Sequence, residues 1–375
     1  MKGFLYVIGF TLLTALCWGV YGPVVQTGQF ALGGGVLPVR LRAFICVGLA
    51  YFIIAVVVPT IWLQIYGEKG NWTATGFVWS FIAGVAGALG ALGIVLAIYN
   101  GGNPVYVMPL VFGIAPVVNT FTTMYMAKTL KEVGPIFLAG LILVIVGAVT
   151  VLFAKPNEPR PTIENLTDDD GKISFKMTTK EAGEPHVTEI ANLTLDELKA
   201  KEPVAARAYL MKKRGAIPFM GWVMIVFSIA LTGVSWGAYG PTLHKGQTAM
   251  NGSRLRPFLC VGLAYLVVAV ILPFMLLGWL EPAASFNFKG TVWSLAGGGV
   301  GAIGALGIIM AFNFGGKPIF VMPIVFGLAP VINSFVELFR SNLLGEIGPL
   351  FYAGLLLVIA GAVTVLLFAP KAKPH

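Results

Sequence analysis

The sequence predicts an all-α membrane protein of ten transmembrane helices, arranged as two inverted-topology repeats of five. Three observations lead there. Of the 375 residues, 57% are hydrophobic and only 11% charged, with a mean hydropathy of +0.86, whereas soluble domains carry about 25% charged residues. The apolar residues fall in continuous runs of roughly 20, the length at which a helix crosses a bilayer. The second half of the chain also repeats the first. Barrel strands are excluded, because the runs do not alternate and are about twice too long.

The first run, Gly3–Val25, follows Lys2 and has the outline of a signal peptide. Its Cys17-Trp18-Gly19-Val20-Tyr21-Gly22-Pro23 recurs in mid-chain as Ser235-Trp236-Gly237-Ala238-Tyr239-Gly240-Pro241, which makes it a structural helix rather than a cleaved one. Ala43–Tyr66 is the second span. Ala74–Tyr99 is the third, and its glycines between Gly84 and Gly93 let helices approach closely. Pro104–Ala127 carries Pro116 about 12 residues in, near mid-membrane at roughly 1.5 Å per residue. Gly134–Ala154 completes the first set. Pro218–Tyr239, Pro257–Leu280, Thr291–Phe314, Pro318–Phe339 and Gly348–Phe368 form the second.

The duplication runs the full length. Arg40-Leu41-Arg42 matches Arg254-Leu255-Arg256 at an offset of 214, which holds through Trp79/Trp293, Asn119/Asn333 and Glu132/Glu346. Ahead of Arg40 the offset is 218, because the first copy has a longer loop at Gly33-Gly34-Gly35. Residues 1–155 and 216–375 are the two repeats, and 156–215 is a polar linker. An odd number of spans per copy, with no apolar run between copies, sends the halves into the membrane in opposite directions. Inverted repeats of this kind build secondary transporters, with the substrate near the repeat interface.

The linker is expected to be partly ordered and without chemistry of its own. Asp170-Gly171 suggests a hairpin turn, and Thr194-Leu195-Asp196-Glu197 has capping-box spacing. Asp168-Asp169-Asp170 lacks the later ligands of an EF-hand and reads as a solvated turn. The net charge of +9 lies in short loops rather than on one polar face, as in loops beside an anionic membrane, so nucleic acid is not an expected partner. With the linker left out, loop charges place both termini in the cytoplasm of an integral protein of the cell (inner) membrane.

Trp18-Gly19 with Pro23, and Trp236-Gly237 with Pro241, resemble the opening helix of the drug/metabolite transporter superfamily (EamA-like). Pro109, Ala115, Pro116, Glu132, Gly140 and Gly147 resemble its fourth and fifth helices, as do Pro323, Ala329, Pro330, Glu346, Gly354 and Gly361. The likeness covers both membrane halves and omits the linker. It implies ten helices, inverted five-helix halves, cytoplasmic termini and alternating access to a central cavity. The family carries sugars, amino acids, nucleotide precursors and drugs, so the resemblance selects no substrate.

No catalytic constellation is visible, and neither an enzyme nor a cofactor is expected. The three histidines, His186, His244 and His375, are too scattered to form a metal cluster with Cys17, Cys46 and Cys260. The candidate substrate residues begin with Pro116 and Pro330, which leave the carbonyls of Phe112 and Phe326 without their usual helical donors. Asn119 and Asn333 follow three residues later, where their amides either bind a substrate or bond a neighbouring helix. Trp18, Tyr21, Trp236 and Tyr239 either line a cavity or serve as interfacial anchors; rings beside amides suit a hydroxyl-rich or amphipathic solute. Glu337 is the one carboxylate within a span, with Arg340 a turn away. The two are candidates for coupling, or for a simple i,i+3 pair at the helix end.

The expected function is therefore secondary transport of a small metabolite, a neutral or weakly polar solute such as a sugar or amino acid. The partners expected are that small-molecule substrate and membrane lipid, and a homo-oligomer is compatible with these features. The alternative is a membrane scaffold or receptor whose linker binds a partner.

Overall fold

A computed structural model of the chain describes residues 2–32, 37–102, 104–128, 133–156, 162–181, 184–202, 205, 208–209, 212, 217–280, 286–340 and 342–368. The loop at Gly33-Gly34-Gly35, Glu132 and His375 lie outside the described residues. Among the described residues, nine helices are long and apolar enough to cross a membrane, and a further apolar helix spans Pro349–Phe368. The apolar part of the chain is an all-α membrane protein.

In chain order the first half contains α1 (Lys2–Ala31), α2 (Leu37–Phe52), a π-helical turn (Ile53–Val57), α3 (Val58–Ile65), α4 (Ala74–Tyr99), α5 (Pro104–Ala127) and α6 (Pro135–Ala154). The linker holds β1 (Thr162–Asp169), β2 (Lys172–Glu181), β3 (Glu184–Leu193) and α7 (Leu195–Lys201). The second half contains α8 (Phe219–Ala249), α9 (Leu255–Tyr265), a π-helical turn (Leu266–Ile271), α10 (Leu272–Leu280), α11 (Phe288–Asn313), α12 (Pro318–Arg340) and α13 (Pro349–Phe368).

Three boundaries differ from expectation by six residues or more, the first being the start of α2, at Leu37 rather than Ala43. α1 continues to Ala31 rather than ending near Val25, and α8 continues to Ala249 rather than Tyr239. His244 therefore lies inside a helix and not beyond it. Pro23 and Pro241 are accommodated within these helices. A proline withdraws the N–H that would serve the carbonyl four residues earlier. For Pro23 that carbonyl is Gly19, and Asn333 of α12 supplies the missing donor at 3.2 Å. Polar groups from a neighbour are what permit such an interruption inside lipid.

Equivalent residues start α4 and α11. Thr73 and Asn287 each accept a bond from the backbone N–H three residues on, at Gly76 and Gly290, and so cap the helix. Each also donates to the closing carbonyl of another helix. Thr73 Oγ1 reaches Ala249 of α8 at 2.9 Å, and Asn287 Nδ2 reaches Ala31 of α1 at 2.6 Å.

These caps anchor two long antiparallel helix pairs, α4 with α8 and α1 with α11. The other end of the α1–α11 pair closes where Tyr6 stacks on Phe314 at 4.7 Å. Close approach depends on small residues and on hydroxyls that bond across the seam. Thr14 Oγ1 donates to Gly304 at 3.0 Å and Thr232 Oγ1 to Gly90 at 3.1 Å. The third pair is α6 with α13, which cross at Gly140, Gly147, Gly354 and Gly361.

The linker is more structured than expected, and the all-α description does not extend to it. It forms a three-stranded antiparallel sheet in the order β1-β2-β3. The reason lies in a period-two pattern: Ile173, Phe175 and Met177 alternate with Ser174 and Lys176. The apolar face buries against Ile190, Leu198 and Tyr209 as a separate small core. Asp170 and Gly171 take φ of 50° and 75°, as the expected tight hairpin requires. The Asp168 carboxylate accepts from the Tyr209 hydroxyl at 2.7 Å. Thr194 and Glu197 form the expected capping box. Thr194→Ala is expected to destabilise α7 by about 1 kcal/mol, read as roughly fivefold faster amide hydrogen exchange at Leu198.

Candidate functional site

The centre of the molecule is aromatic. Tyr51, at the end of α2, stacks on Tyr265, at the end of α9, with centroids 3.8 Å apart and planes 3° from parallel. Each ring sits beside a π-helical turn, a feature often found at functional sites. The two tyrosines occupy equivalent positions, as do the turns that follow them.

Around this stack lie the expected aromatic residues. The rings of Tyr21 and Tyr51 converge on Gly301, and those of Tyr239 and Tyr265 on Gly87, within 3.4 Å of where a Cβ would stand. Trp18 Nε1 donates to the Gly301 carbonyl at 3.3 Å, and Trp236 Nε1 to the Gly87 carbonyl at 3.2 Å. A Cβ on Gly304 would lie 2.4 Å from the Trp18 ring, and one on Gly90 would lie 2.2 Å from the Trp236 ring. Trp18 also faces Tyr239 at 6.1 Å. The four residues named from the sequence thus come together, and Tyr51 and Tyr265 join them. Their signal was available: a tyrosine at the same register in both copies of an apolar run. The Tyr239 hydroxyl is buried without a hydrogen-bond partner among the described residues.

Equivalent positions on the two sides of this cluster are unequally buried. Tyr239 is 4% exposed, Asn119 0% and Ile308 0%, whereas Tyr21, Asn333 and Ile94 are half-buried. Gly240 is buried and Gly22 exposed. The residues toward the end that carries the α3–α4 loop are buried, and their equivalents toward the opposite end are partly exposed. Near the open end, a groove of ≈ 220 Å³ is lined by Pro23, Val24, Thr27, Trp293, Val336 and Arg340.

The prolines Pro116 and Pro330 lie where α5 crosses α8 and α12 crosses α1. A Cβ on Gly237 would approach the Ala115 carbonyl to 2.7 Å, and one on Gly19 would approach the Ala329 carbonyl to 2.9 Å. Asn119 and Asn333 both spend their amide N–H on a neighbouring helix. Asn119 Nδ2 donates to the Pro318 carbonyl at 3.0 Å and Asn333 Nδ2 to that of Gly19. Of the two uses weighed for these residues, the helix-bonding one is occupied, while Asn119 Oδ1 is buried without a partner among the described residues.

Glu337 and Arg340 do not pair with each other. Glu337 forms its ion pair with Lys155 at the end of α6, a partner that sequence reading missed because it lies 182 residues away. Arg340 donates to the Pro23 carbonyl at 3.1 Å. The His244 ring stands edge-on to Phe312 at 5.0 Å. Lys245 sits 3.8 Å over the Trp79 ring.

The sealed end has a polar clasp that the sequence did not announce. Glu68, in the loop after α3, accepts from Ser253 Oγ at 2.7 Å, from the backbone of Arg254 and Leu255 at 2.8 and 3.1 Å, and from Arg254 Nε at 2.9 Å. Its side chain is 2% exposed. Burial alone raises the Glu68 carboxyl. The bonds from Ser253, Leu255 and Arg254 outweigh that and hold it below its ordinary value. Asn313 Nδ2 adds a bond to the Gly252 carbonyl at 2.9 Å.

No family model matches the chain, and no curated protein matches it. A solved structure does: a crystal structure of a protein that superposes with a TM-score of 0.58 at 14% identity, over 99% of each chain. The likeness is one of fold.

Proposed function

We propose that the chain is a secondary transporter of a small neutral or weakly polar solute, such as a sugar or amino acid. It works by alternating access between two inverted five-helix repeats. The observation that carries this reading is the unequal burial of equivalent residues around one aromatic cluster. Packing that is symmetric in sequence but closed at one end and open at the other is what a transporter halted in one of two states would have. The reciprocal bonds from Trp18 to Gly301 and from Trp236 to Gly87 support a two-fold exchange between halves. So do the opposed directions of α1 and α8. α1 begins beside Phe314, close to Pro318, which bonds Asn119 near the end of α5, whereas α8 begins beside Asn100, just before the start of α5. The resemblance to the drug/metabolite transporter superfamily agrees with the same arrangement of ten spans, in the inner membrane with cytoplasmic termini.

Rings and unpaired hydroxyl or amide oxygens suit a solute with apolar faces and hydrogen-bond donors. The test is flux into proteoliposomes, screened over labelled sugars and amino acids. Tyr239→Phe removes a hydroxyl that bonds nothing in this state, so thermal stability should hold or rise while flux falls roughly tenfold. Unchanged flux for every transported solute would place the site elsewhere.

A second reading, a scaffold acting through its linker, is favoured by the linker's own folded core. Deletion of residues 164–202 separates the two. The transporter keeps its flux, whereas a scaffold loses its recognition surface.

A further inference from the structure

The two equivalent asparagines differ in one respect that their shared surroundings do not explain. Each lies against the equivalent glycine of the opening helix. Asn333 Nδ2 is 3.0 Å from where a Gly22 Cβ would stand, and Asn119 Oδ1 is 3.3 Å from that of Gly240. Their amides nevertheless point to different carbonyls. Asn333 serves Gly19, the carbonyl that Pro23 leaves without a donor. The equivalent carbonyl for Asn119 is Gly237, left without its donor by Pro241, yet Asn119 bonds Pro318 at the start of α12. The Pro318 bond lies at the sealed end, where Met322 is 0% exposed and fills the space beside Gly240. The Gly19 bond lies at the open end, where Gly22 is exposed and the equivalent Met108 half-buried.

We infer that Asn119 and Asn333 are the two halves of a gating switch. Each amide has two alternative acceptors: a proline-released carbonyl on the opening helix when its end is open, and the first carbonyl of the opposing fourth helix when its end is sealed. This inference rests on the alternating-access reading above. When the molecule reverses, Asn119 moves to Gly237 and Asn333 moves to Pro104. The residues act as positioning groups for the conformational step.

Water decides the sign. The Asn119–Pro318 bond is buried and the Asn333–Gly19 bond only partly so, so solvent offsets part of the loss of the second, whereas nothing replaces the first. Asn119→Ala therefore penalises the state described here, and Asn333→Ala penalises the reversed one.

The experiment uses the full chain in phosphatidylcholine–phosphatidylglycerol nanodiscs without added solute. Cys17, Cys46 and Cys260 are replaced by alanine, and Met322→Cys serves as reporter. Asn119→Ala should raise its labelling rate by a methanethiosulfonate reagent roughly three- to tenfold, Asn333→Ala should lower it by a similar factor, and the double variant should fall between. Asn119→Leu and Asn333→Leu keep the volume and should move the rate in the same directions, which covers an alanine variant that fails to fold. Shifts of one sign in both single variants, or no shift, overturn the switch. Because no solute is present, a chain that transports nothing leaves this result intact. A chain that transports while the reporter stays fixed overturns the switch and spares the function.

Discussion

Gly147→Val is expected to unseat α6 from α13 and cost about 3 kcal/mol or more. A Cβ at Gly147 would lie 2.5 Å from the Val358 nitrogen and 2.7 Å from the Gly354 carbonyl oxygen, so backbone blocks it rather than a side chain able to turn aside. The equivalent Gly361 meets the Val144 nitrogen at 2.5 Å and the Gly140 carbonyl at 2.8 Å, so Gly361→Val should behave alike. Gly113→Ala is the control. Its nearest neighbour is 3.7 Å away, and in a helix the exchange should be neutral or gain up to about 1 kcal/mol. Thermal unfolding in detergent checks all three. A Gly147→Val protein that unfolds with the wild type would mean that the α6–α13 crossing is looser than described.

The second large effect belongs to the Glu68 clasp. Glu68→Gln should destabilise the folded chain by about 2–3 kcal/mol at neutral pH, the range for hydrogen bonds to a charged group, allowing for the partial exposure of Arg254. The pH dependence has a definite sign. The folded carboxyl is held below the value of 4.5 it would have unfolded, so its contribution is complete above 4.5 and is lost as pH falls through the lower folded value. The charged groups facing it are Arg254 and, at 3.8 Å, Arg256. The difference in unfolding temperature between wild type and Glu68→Gln should therefore be widest at pH 6–7 and close toward acid. A gap that stays constant down to pH 3 would remove the charge from the explanation.

Much of the architecture was legible in the sequence. Composition and run length yield the spans, and the boundaries of Ala74–Tyr99 and Pro104–Ala127 agree with α4 and α5. The ends misplaced most were those of the spans containing Pro23 and Pro241, because a proline within an apolar run does not by itself end a helix; for Pro23 the donor that fills the gap, Asn333, lies far off in the chain. In the linker the hairpin at Asp170-Gly171 was expected and the third strand was not, because a short amphipathic strand between charged turns offers few apolar residues to weigh. In the site, Trp18 and Trp236 stood out by repetition. Tyr51 and Tyr265 repeat equally well, but within apolar runs a tyrosine carries no mark that separates packing from function. Glu68 has no counterpart, since the equivalent position is Pro282, so a search by repeat passes over it. Its partners are 185 to 187 residues away, beyond any local pattern.

The stacked tyrosines carry an evolutionary consequence. In a dimer of two identical chains, one codon change would alter both rings together, and like would always meet like. Fusion of the two copies into a single gene ends that obligation, so either ring can drift alone, and the contact can become lopsided by a single mutation. The molecule is free to specialise one face at a time, which a symmetric pair of subunits never is.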